Sequence, residues 1–121
     1  MGENESLKQY DLEDRTKDFA RRVRRFVSQL PKNTANFEDG KQLVRSSGSI
    51  GANYIEANES LSKKDFVMRV KISRKEAKES NYWLDLIEVE PNQILEKERK
   101  ALRQESTELM LILSSIMRKS Q

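Results

Sequence analysis

Residues 43–57 read LVRSSGSIGANYIEA, and this stretch decides the fold. It is crowded with small residues (Ser46, Ser47, Gly48, Ser49, Gly51 and Ala52), yet helical spacing flanks it on both sides. On a helix, Leu43, Ile50, Ala57 and the glycines fall near one side, while Arg45, Asn53 and Glu56 stand where long polar side chains reach a neighbour. Each interior glycine costs an isolated helix roughly 0.8–1 kcal/mol relative to alanine. A helix that keeps two of them is expected to lie against a very close neighbouring backbone.

Working outward, residues 1–9 read as a polar, disordered tail and residues 10–121 as one bundle domain. Asp11 is a plausible N-cap for a first helix, whose apolar stripe is Leu12, Phe19, Val23, Phe26 and Leu30, ending at Pro31. Its other faces carry Lys17, Arg21, Arg22, Arg24 and Arg25, the densest basic cluster in the chain. Such a cluster is either a phosphate contact or an ordinary solvated face. After a PKNT turn, Thr34 or Asn36 is expected to cap a second helix through Phe37, Leu43, Val44, Ile50, Tyr54 and Ile55 to about Asn58.

Ser62-Lys63-Lys64-Asp65 resembles a capping box and starts a third helix, with Leu61 and Phe66 placed for a hydrophobic staple. One stripe of this helix reads Phe66, Val70, Ser73, Ala77, Ser80, Leu84 and Ile87, and its small middle is suited to receive the small stretch of the second helix. A second stripe reads Met68, Ile72, Glu76, Glu79, Trp83 and Leu86. Its two carboxylates need partners if buried, with Arg45, Arg74 or Lys75 as candidates. Glu90-Pro91-Asn92 breaks the chain. A fourth helix then runs from about Gln93 to Arg118 on Leu95, Leu102, Leu109, Ile112 or Leu113, and Ile116. Apolar residues on several faces from Leu109 to Met117 point either to burial against another subunit or to an over-apolar helix end.

Four amphipathic helices with short connections predict an all-α, antiparallel, up-down-up-down four-helix bundle. Composition excludes several functions. With no cysteine there are no disulfides or thiolate sites, and with no histidine the commonest general base and metal ligand are missing. A di-iron bundle needs paired Glu-x-x-His motifs, so no metal, cofactor or catalytic residue is assigned and the chain is read as non-enzymatic. The GSIG at 48–51 matches a GxxG loop only literally, since no strands surround it, and no lysine follows to make a P-loop. The net charge of +3 is mild enough for solubility alone to explain it. No signal peptide is visible and LMLIL at 109–113 is far too short to span a membrane, so a cytoplasmic protein without membrane contact is expected.

The order FARRVRRFVSQLP at 19–31, EDGKQLVRSSGSIGANYIEA at 38–57 and SKKDFVMRVKISRKEAKESNYWLDLI at 62–87, followed by a leucine-rich last helix, resembles the 23S rRNA-intervening sequence proteins. That resemblance implies a four-helix bundle that assembles as a homo-oligomer, typically a pentamer, and implies no established reaction. A structurally similar protein, the accessory subunit of diversity-generating retroelements, uses a basic pentameric bundle to engage nucleic acid and a reverse transcriptase; that role is not carried over. Gln42, Arg45, Asn53, Glu56, Arg74, Glu76, Glu79 and Trp83 are expected to form a polar and aromatic network. Arg21, Arg22, Arg24, Arg25, Lys63, Lys64 and Lys78 are the candidate contacts to RNA or DNA phosphates. The alternative is a protein-interaction scaffold with no nucleic-acid role.

Overall fold

A computed structural model describes the backbone of residues 2–121 and the side chains of residues 12–121. It contains four helices: α1 (Gly2–Ser28), α2 (Thr34–Asn58), α3 (Lys63–Leu86) and α4 (Gln93–Ser120). Each packs on the next, and α4 returns to α1; among the described residues the backbones of the diagonal pairs α1/α3 and α2/α4 make no close approach. Partners across each seam run in opposite order. Ser46 meets Ser80, Ile50 meets Ser73 and Asn53 meets Arg69 between α2 and α3. Glu13 meets Asn58 and Val27 lies by Gly40 between α1 and α2. Asn81 meets Thr107 and Asp85 meets Arg103 between α3 and α4, while Arg15 meets Glu105 and Arg22 meets Glu98 between α1 and α4. Sequential neighbours are therefore antiparallel, as an up-down-up-down bundle requires.

The core is the set of stripes read from the sequence. Leu12, Phe19, Val23, Phe26 and Leu30 of the first segment are buried, as are Leu43, Ile50, Tyr54 and Ala57 of α2. Along α3 the stripe Val70, Ser73, Ala77, Ser80 and Leu84 is buried, and along α4 it is Leu95, Leu102, Leu109 and Leu113. Leu113, not Ile112, takes the core position; Ile112 and Ile116 pack at its margin.

The small middle of α3 does receive α2, through hydroxyls. Ser73 Oγ donates to Ile50 O at 2.7 Å, and Ser46 Oγ and Ser80 Oγ share a hydrogen bond of 2.8 Å, all four residues being buried. The glycines turn the other way. A Cβ on Gly51 would stand 2.7 Å from Thr16 Oγ1, and one on Gly48 would stand 3.6 Å from an Arg24 nitrogen. The close approach thus lies between α2 and α1.

Several helix ends differ from expectation. The tail over residues 1–9 falls outside the described side chains, while the α1 backbone is continuous from Gly2, so Asp11 lies within the helix and is not its cap. Asn33, not Thr34 or Asn36, caps α2 by accepting from Asn36 N at 2.8 Å. Ser62 caps α3 by accepting from Asp65 N at 3.1 Å, but the staple does not form because Leu61 is fully exposed. Phe37 and Ile55 leave the core stripe: they sit at 64% and 44% exposure on an outward row of α2.

Candidate functional site

Two polar assemblies result. The first lies in the α2–α3 seam. Arg45 reaches across from α2 and donates to Glu79 Oε1 at 2.6 Å and to both Glu76 oxygens at 3.4 Å. Gln42 accepts from Arg45 Nε at 3.4 Å, and Trp83 Nε1 donates to Glu79 Oε1 at 3.1 Å. Tyr82 lies edge-on to Trp83 with ring centroids 5.0 Å apart. One turn of α3 separates Glu76, Glu79 and Trp83, so helical spacing alone stacks them under the guanidinium.

Burial raises the Glu76 carboxyl above its ordinary range, and Arg45 offsets this only in part. At Glu79 burial acts in the same direction but is outweighed by hydrogen bonds from Arg45 and Trp83, which hold that carboxyl below its ordinary range. The pair is thus locked by one cation. Among the described residues no third metal-binding side chain joins it.

Of the eight residues expected in this network, Gln42, Arg45, Glu76, Glu79 and Trp83 come together. Asn53 belongs to a separate contact, accepting from Arg69 Nη1 at 3.3 Å while donating to Ser49 O at 2.9 Å. Glu56 is exposed and Arg74 half-buried, and neither enters a hydrogen bond with the cluster. Arg45 is the cation that closes on the carboxylates; Arg74 and Lys75 are not.

The second assembly is the basic surface. Arg22 is drawn into the α1–α4 seam by Glu98 at 3.1 Å, next to Arg15, which forks onto Glu105 at 2.7 and 3.1 Å. Arg21, Arg24 and Arg25 stay exposed and meet no carboxylate among the described residues. Arg24 donates to Ala20 O at 3.2 Å and lies over Gly48. Lys63, Lys64 and Lys78 are exposed on α3. Because α1 and α3 are diagonal, the arginines and these lysines do not share one surface of a single chain.

Sequence reasoning missed Asn36. Only 3% exposed, it donates to Pro31 O and Glu88 O at 3.0 and 2.8 Å and accepts from Glu88 N at 3.0 Å. It ties the α1–α2 turn to the α3–α4 turn. Nothing in the sequence distinguishes it from a cap residue. Arg99 was also missed: it donates to Asp85 O and Ile87 O at 3.3 Å, satisfying carbonyls at the end of α3.

These features define a small all-α bundle held in register by polar seams. The chain belongs to the 23S rRNA-intervening sequence protein family, whose model matches residues 8–115. It is also similar to a crystal structure of a protein of unknown function from the S23 ribosomal protein family of Bacteroides thetaiotaomicron. The two are 33% identical, with a TM-score of 0.79 over 92% of this chain and 98% of that one. Comparison with curated proteins gives no match. No helix among the described residues is long and apolar enough to cross a membrane.

Proposed function

We propose that this chain is a non-enzymatic accessory scaffold of the cytoplasm, which assembles with further copies of itself, as a pentamer, and presents the outward face of α1 to nucleic-acid phosphates. One observation carries the reading. Arg21, Arg24 and Arg25 stand exposed within five residues of one another on α1, without a carboxylate among the described residues, whereas Arg15, Arg22, Arg45, Arg99 and Arg103 are each tied to Asp or Glu. Lys63, Lys64 and Lys78 on α3 are also unpaired among the described residues but are spread over sixteen residues. Cations with no internal partner are the ones free to displace counterions from a phosphate backbone. Repetition in an oligomer multiplies the field of a chain whose own net charge is +3.

Self-association is supported by large apolar side chains left exposed on three helices, among them Ile55, Met68, Leu86 and Leu111. The same observation favours the second reading, a protein-interaction scaffold with no nucleic-acid role. Fluorescence anisotropy of a labelled structured RNA across a salt series separates the two. A linear fall of log affinity with log salt supports phosphate binding, and no binding at low salt leaves the scaffold reading. Sedimentation velocity of the same sample reports the assembly state.

A further inference from the structure

A groove of about 910 Å³ lies where the α1–α2 turn opens onto the outer seam of these helices. Its apolar surface comes from Val27, Leu30, Pro31, Phe37, Gly40 and Val44. Gly40 lets α1 in close, since a Cβ there would stand 3.1 Å from Val27 Cγ1. Lys32 and Lys41 line the rim, and the Arg24 guanidinium lies over Gly48, one turn beyond Val44. Lys41 Nζ sits 4.4 Å above the Phe37 ring, and its nearest carboxylate, Glu38, is at 4.0 Å, the limit of an ion pair. Lys32 and Arg24 have no carboxylate partner among the described residues.

We infer that this groove docks an acidic amphipathic helix of a partner protein. From Phe37 to Val44 is two helical turns, roughly 10 Å, which matches the span of an i, i+3 or i+4, i+7 set of apolar anchors. The charged side chains of the lining, Lys32 and Lys41, are both basic, and Glu38 pairs with Lys41 only at 4.0 Å, so carboxylates flanking such anchors find complementary partners. Three of the polar side chains of the lining are already committed, and Thr34 is the one neutral hydroxyl of the lining with no partner among the described residues. Asn33 accepts from Asn36 N, Asn36 holds Pro31 O and Glu88, and Ser28 donates to Arg25 O. A mainly apolar floor with few free hydrogen-bonding groups suits leucine-like anchors better than the edges of nucleic-acid bases.

The test uses the full chain and a labelled synthetic peptide with leucine at i, i+3, i+4 and i+7 and glutamate on both flanks. The comparison peptide carries lysine in place of glutamate. The expected result is saturable anisotropy with the acidic peptide alone, weakened about tenfold or more by Phe37→Ala. The double variant Lys32→Glu, Lys41→Glu is expected to transfer the preference to the lysine peptide. Phe37 and both lysines are at the surface, and unchanged circular dichroism verifies the fold of the variants. Three outcomes overturn the inference: no binding or equal binding of both peptides; Phe37→Ala dissolving the self-assembly in sedimentation, which assigns the groove to a second copy; or Phe37→Ala abolishing RNA binding, which assigns it to nucleic acid.

Discussion

Ser46 and Ser80 share a 2.8 Å hydrogen bond at zero solvent exposure in the middle of the α2–α3 seam. Each hydroxyl also has a backbone carbonyl on its own helix, Leu43 O at 3.4 Å and Glu76 O at 2.9 Å. Removing one partner therefore leaves the other satisfied. Ser46→Ala is expected to lower unfolding free energy by about 0.5–1.5 kcal/mol, the net worth of one hydrogen bond. Ser80→Val adds bulk where two helices already touch and is expected to cost about 1–3 kcal/mol. Urea denaturation of both variants checks the order.

Two of the three glycines of α2, Gly48 and Gly51, separate propensity from packing. Gly48→Ala gains helix propensity and meets Arg24 only at ordinary contact distance, so a stabilisation of up to about 1 kcal/mol is expected. Gly51→Ala carries the same propensity gain but drives a methyl into Thr16, and a net loss of about 1–2 kcal/mol is expected. Adding Thr16→Ala to Gly51→Ala should return most of it. Thermal melts of the three variants measure this, and a Gly51→Ala protein more stable than the parent would show that α1 yields easily.

The Arg45 cluster predicts opposite effects from two carboxylates one turn apart. Glu79 is held below its ordinary range, so its contribution is present at neutral pH and is lost as pH falls through and below that range. Glu76 is raised, so its neutral form stabilises the fold in acid and that contribution is lost as pH rises through its folded value. Glu79→Gln should therefore lower the urea midpoint at neutral pH and much less at about pH 3. Glu76→Gln should leave the neutral midpoint unchanged or raised. Trp83, the single tryptophan and a donor to Glu79, reports both titrations by its emission.

Asn36 is expected to behave as a buried polar tie. Asn36→Ala strands the Glu88 and Pro31 backbone groups where the two turns meet, at a cost of about 1–3 kcal/mol. Hydrogen exchange should show the loss first at Glu88 N, whose partner is removed.

The helices and their buried faces were legible because each stripe repeats at helical spacing; Leu12 to Leu30 and Leu95 to Leu109 are core in both readings. That Glu76 and Glu79 need a cation is legible because carboxylates between apolar neighbours demand one, but the sequence offers Arg45, Arg74 or Lys75, and only the packed seam selects Arg45. The rest depends on which neighbour a face meets. Phe37 and Ile55 are apolar at helical spacing, but they belong to a second row, with Val44 and Gly48, that borders α1 on the outside. Small-residue spacing marks both glycines as close-approach positions, and only the packed bundle shows that Gly51 approaches Thr16 while Gly48 meets just the Arg24 side chain at ordinary contact distance. Asn36 looks like a cap because its distant carbonyls are invisible in a sequence.

The most direct test of the central claim is RNA affinity of two charge-reversed proteins, Arg21→Glu with Arg25→Glu on α1 and Lys63→Glu with Lys64→Glu on the diagonal helix α3, each measured by anisotropy across a salt series. Both lose the same formal charge, so net charge alone cannot separate them. The α1 variant is expected to lose affinity, with its salt slope flattened by about one unit per lost phosphate contact, while the α3 variant stays near the parent. Equal losses in both, or a loss confined to the α3 variant, would contradict the claim.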